Sequence, residues 1–110
     1  MKRVFFYVQH LLGIGHLRRA ATLARALAEG GFDVLLVSGG APVPLDLGRA
    51  RLHQLPPVRA RDDGLRELVR HDGGPLDDAF RALRAHELLA LLEAEKPAIL
   101  ITEQFPFGRT

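Results

Sequence analysis

Five side chains and two glycines carry the chemistry this sequence offers. His16 follows Gly13 and Gly15 in the stretch QHLLGIGHLRR, residues 9–19. A neutral imidazole at a helix start can accept a proton from a hydroxyl or hydrogen-bond a ligand. His10 ends the preceding apolar run and should face the same crevice. Glu103 follows another apolar run late in the chain, where a carboxylate can orient a sugar hydroxyl or act as a base. Arg18 falls in what reads as the first turn of a helix, where a cation is unfavourable, so it hints at an anion partner. Arg109 is a second candidate anion contact. Each has a plainer alternative: a tight turn for the glycines, a polar helix start for His16, a solvated arginine, a loop acid.

These groups need a strand that ends, a turn that leaves amide N–H groups uncovered, and a helix aimed back at the turn. Glycine permits such a turn, and the unpaired first N–H groups of a helix can hold a phosphate, a carboxylate or a sugar hydroxyl. A dinucleotide site would want a third glycine at position 18 and an acid at the end of the second strand. The chain has Arg18 and Ser38-Gly39-Gly40 there. The phosphate loop GxxxxGK[ST] is absent as well. No cofactor is expected. Asp62, Asp63, Asp72, Asp77 and Asp78 show no ligand spacing, so no metal is expected either.

The surrounding pattern supplies the elements. Residues 3–8, RVFFYV, are apolar without alternation, as in a strand buried on both faces of a parallel sheet. Residues 16–29 read as a helix with Leu17, Ala20, Ala21, Ala24, Leu27 and Ala28 on one side and a solvated stripe of Arg18, Thr22, Arg25 and Glu29 on the other. Gly30-Gly31 stops it. Residues 32–38 are a second buried strand and 51–55 a short third one. Residues 58–75 read as a long polar excursion, with a short helix at 65–70. Residues 76–95 read as a second helix of imperfect pattern, with Leu76, Phe80 and Leu83 against Leu88, Leu89 and Leu92. It is either buried on two sides or broken near residues 84–86. Residues 98–102, AILIT, are a fourth buried strand.

The expected fold is therefore α/β: a Rossmann-like partial parallel sheet, β-α-β-β-α-β, with strand order 3-2-1-4. At 110 residues, 47% hydrophobic and 25% charged, the chain matches one small globular domain. A net charge of +2 is too balanced to imply nucleic acid. Without cysteine, disulfides and thiol catalysis are excluded. The first apolar run is too short for a signal peptide, and no run approaches a membrane span, so the expectation is a cytoplasmic protein with at most a peripheral membrane contact.

The run FFYVQHLLGIGHLRRAATLARALAEGGFDVLLVSGG, with the terminal EQFPFGR, resembles the N-terminal part of predicted GT-B glycosyltransferases related to the MurG and glycosyltransferase 28 group. The resemblance implies two Rossmann-like domains around a cleft, with the acceptor on the N-terminal side and a nucleotide-sugar donor on the other. Gly13, Gly15 and His16 would match the acceptor-side loop, although GIGH stands where MurG-like enzymes have a richer glycine run. The resulting expectation is a single incomplete domain over residues 1–110, lacking the donor-binding domain and inactive alone. It would be the acceptor side of an enzyme moving a hexosyl group from a nucleotide-sugar to an acceptor hydroxyl. The alternatives are a small binding module for an anionic small molecule and an inert truncated remnant.

Overall fold

The structure is a computed structural model that describes residues 2–9, 15–40, 42–60, 68–70, 74 and 76–102. The element order is β1 (Arg3–Val8), α1 (Gly15–Glu29), β2 (Asp33–Ser38), β3 (Arg51–Gln54), β4 (Val58–Ala60), β5 (Leu68–Arg70), α2 (Asp78–Glu95) and β6 (Ile99–Thr102). The main sheet runs β3-β2-β1-β6, and every neighbouring pair is parallel. This is the expected strand order, with β6 as the fourth strand of that sheet. Right-handed crossovers then place α1 and α2 on opposite faces.

The unbroken apolar runs of β1 and β2 serve two cores. Val4, Phe6, Val8, Val34 and Leu36 pack with Leu17, Ala20, Ala24 and Ala28 of α1. Phe5, Tyr7, Leu35, Val37 and Leu55 form the other core, against Leu88, Leu91 and Leu92 of α2. The alternation follows from successive strand side chains pointing to opposite faces. Alanines on α1 let the helix lie close to the sheet. Gly31, at φ 102°, turns the chain into β2.

Three expectations change. The excursion after β3 contains no helix at its described end: β5 pairs antiparallel with β4, Val58 opposite Arg70. Val58 and Val69 are buried, which gives this short pair an apolar anchor. Helix α2 is neither broken nor buried on two sides. It is capped by Asp77, whose carboxylate accepts from the Phe80 amide at 2.8 Å, and ends at Lys96 in the left-handed conformation. Its inward stripe is Arg84, Leu88, Leu91 and Leu92, while Leu83 and Leu89 face solvent. An arginine in the stripe disguised it. Finally, β6 is not buried on both faces. Ile99 and Leu100 are 40% and 46% exposed because β6 has only β1 as a partner among the described residues.

At the amino edge of the sheet, Arg51 bridges Glu95 at 2.6 Å and Asp33 at 3.0 Å. The Arg51 hydrogen bond is the main reason the Glu95 carboxyl is held below its ordinary range. No described helix is long and apolar enough to cross a membrane.

Candidate functional site

Parallel strands deliver their carboxyl ends to one edge, and open α/β sheets bind ligands there, where the strand order reverses. That reversal lies at β1. The chain moves from β1 to β2 to β3 on one side and returns to β6 on the other. Thr102 of β6 pairs with Tyr7, which sets the carboxyl ends of β1 and β6 side by side.

Helix α1 starts at this edge with Gly15. Gly15 is exposed, and a Cβ built there would meet none of the described residues within 4 Å. Its φ lies outside the left-handed region, so neither backbone geometry nor packing against the described residues demands glycine. What glycine offers at Gly15 is an uncovered backbone. His16 is half-buried beside it, and Leu17, fully buried, locks the first turn to the core. Arg18 is exposed and forms no ion pair among the described residues. Thus Gly15, His16 and Arg18 share one turn of α1. His10, Gly13, Glu103 and Arg109 lie outside the described residues.

The polar stripe of α1 is not simply solvated. Arg18, Ala21, Thr22 and Arg25 form one wall of a groove of about 360 Å³, and Pro44, Leu45 and Asp46 form the other. Arg25 is held by Asp46 at 2.5 Å and by Glu29 at 3.2 Å. Hydrogen bonding to Glu29, then the Asp46 charge, raises its pKa further.

Sequence reasoning missed the polar cluster under the strand ends. Arg84 of α2 is 3% exposed. Its Nε donates to the Pro56 carbonyl at 2.8 Å, and its Nη2 donates to Gln9 Oε1 at 2.7 Å and to the Gly39 carbonyl at 3.0 Å. Gln9 is equally buried. Burial pushes the Arg84 guanidinium below its ordinary pKa, opposed by the Tyr7 and Glu87 side chains. A Cβ on Gly39 would collide with Gln9 and sit 2.6 Å from Arg84 Nη2. The glycine where a dinucleotide protein keeps its ribose acid therefore makes room for this strap. Gln54 closes the next strand ends, donating to the Gly40 carbonyl at 2.6 Å and the Leu55 carbonyl at 2.9 Å. Ser38 Oγ is buried with no hydrogen-bond partner among the described residues. The available signal was an arginine at i−4 and i−7 from Leu88 and Leu91, a charge on an apolar helical stripe.

No protein-family model matches this chain, and no curated protein does. Among solved structures, the chain is similar to Phytolacca americana UGT2 complexed with UDP-2fluoro-glucose and pterostilbene. The TM-score is 0.46 at 22% identity, over 89% of this chain and 25% of that one. The chain thus spans about a quarter of that protein's length.

Among the described residues, no group of three His, Cys, Asp or Glu side chains is placed to hold a metal ion. The chemistry that the described turn supports is hydrogen bonding and proton transfer by an imidazole next to open backbone.

Proposed function

We propose that this chain forms the acceptor side of a nucleotide-sugar-dependent hexosyltransferase of the GT-B kind. The observation that carries the reading is the start of α1. Gly15 and His16 stand at the carboxyl edge of β1, at the point where the strand order reverses, with Gly15 exposed. The resemblance of residues 5–40 to the MurG-related group supports the same assignment.

In this reading the acceptor hydroxyl lies against His16. The hydroxyl oxygen attacks the anomeric carbon of the donor, the bond from that carbon to the nucleotide diphosphate breaks, and the hydroxyl proton passes to the imidazole. Glu103, the residue after Thr102, orients the acceptor or shares the base role. His10, Gly13, Arg18 and Arg109 complete the acceptor contacts. A second, donor-binding domain supplies the opposite wall, with the nucleotide-sugar as co-substrate and no cofactor. The reaction takes place in the cytoplasm.

The test is sugar transfer and donor hydrolysis with UDP- and GDP-sugars, measured on the chain joined to its natural downstream sequence. His16→Ala and Glu103→Ala should each lower the rate by about a hundredfold, the scale of a lost general base. Activity indifferent to both substitutions would remove the site assignment.

A further inference from the structure

We propose that the groove along α1 binds a small organic anion of sugar-phosphate size, with its phosphate or carboxylate on Arg18. The inference deepens the acceptor reading by giving the acceptor a charge.

Arg18, Thr22 and Arg25 lie along one stripe of α1, yet the two arginines are treated differently. Arg25 is balanced by Asp46 and Glu29. Arg18 has no ion pair among the described residues. Among the described residues, the groove therefore has two carboxylates around one guanidinium at one end and an unbalanced guanidinium at the other. The positive end is also the first turn of a helix, where the aligned peptide dipoles add to the field. An oxyanion suits that end, since a guanidinium can grip a phosphate or carboxylate through two parallel N–H donors.

The rest of the groove suits a carbon skeleton with hydroxyls. Ala21, 5% exposed, is the small residue of the α1 wall, and Pro44 and Leu45 offer an apolar wall opposite. Thr22 donates its hydroxyl proton to the Arg18 carbonyl at 3.0 Å, so its oxygen can accept from a ligand hydroxyl. The far wall is pinned. Asp46 bridges Arg25 and also accepts from the Gly48 amide at 3.2 Å. A groove already shaped loses little freedom on binding. Its volume, about 360 Å³, falls at the small end of the range for ligand pockets, ~300–1,000 Å³.

The experiment is an NMR titration of the 110-residue chain with glucose 6-phosphate, glucuronate, inorganic phosphate and glucose at constant ionic strength. Glucose 6-phosphate and glucuronate should bind, with shifts at Thr22 and Leu45, and glucose should not. Inorganic phosphate should bind more weakly than glucose 6-phosphate. Arg18→Gln should weaken both organic anions by about tenfold or more, the scale of one charge-assisted pair. Thr22→Val should weaken glucose 6-phosphate several-fold while leaving inorganic phosphate unchanged. Both positions are exposed, so the fold should survive either change. No binding by the organic anions, equal binding by glucose, or affinity untouched by Arg18→Gln would overturn the proposal. So would shifts confined to Gly15 and His16, which would put the anion at the helix start. Binding needs no transfer step: an inactive enzyme with intact Arg18-dependent binding would sink the transferase reading and leave this one standing.

Discussion

Arg84 Nη2 reaches Gln9 Oε1 at 2.7 Å across 75 positions of sequence, joining the second helix to the end of the first strand. The same guanidinium holds the carbonyls of Gly39 and Pro56. One buried cation thus ties together three segments at the carboxyl edge. Truncating it leaves buried oxygens that lose a donor, and breaking buried charged networks is costly. Arg84→Ala should lower the unfolding free energy by about 3 kcal/mol. Arg84→Met, which keeps much of the stem, should cost less. Urea denaturation followed by circular dichroism measures both, and a loss under ~0.5 kcal/mol for Arg84→Ala would show that the strap adds little.

Gly15 and Gly39 should respond oppositely to alanine. At Gly39 the added carbon meets Gln9 and Arg84, whose positions are fixed by each other. A thermal melt of Gly39→Ala should show a loss of about 2 kcal/mol, the scale of overpacking in a filled site. At Gly15 the methyl group meets none of the described residues. Gly15→Ala should leave stability within about 1 kcal/mol of the parent, with any gain arising from helix propensity. If Gly15→Ala instead unfolds the chain, the glycine serves the backbone and not a ligand.

The Arg51–Glu95 bridge gives the fold an acid-sensitive contact. Glu95 has a depressed pKa when folded, so its contribution is present above the unfolded value and is lost as pH falls through the folded one. The window therefore opens near pH ~4.3, the ordinary glutamate value, and extends downward. Arg51 is half exposed, so solvent limits the contribution to about 0.5 kcal/mol. Denaturation of the parent and Glu95→Gln at pH 7 and pH 3 should show a gap that narrows in acid. A gap of equal size at both values would assign the effect to packing.

Much of the fold was legible because its signals are local. Continuous apolar runs marked β1 and β2, paired glycines ended α1, and the crossover rule put β1 inside the sheet. The α2 stripe was harder to read, since Arg84 occupies a core position that hydrophobic periodicity scores as polar. The β4–β5 pair escaped for a related reason. Its strands are three residues each, too short for alternation to mark them, and the pairing joins two segments well apart in the sequence.

The candidate site divides along the same line. Residue order alone put His16 and Arg18 on the first turn of a helix, with Gly15 in the turn before it, because strand, turn and helix are written in consecutive residues. It could not say that Gly15 is exposed, that Arg25 is held by two carboxylates while Arg18 meets none among the described residues, or that Gly39 is glycine to admit Arg84. Those facts arise where segments 21, 45 and 75 residues apart meet. Charge balance and burial are properties of that meeting, and packing in three dimensions creates them.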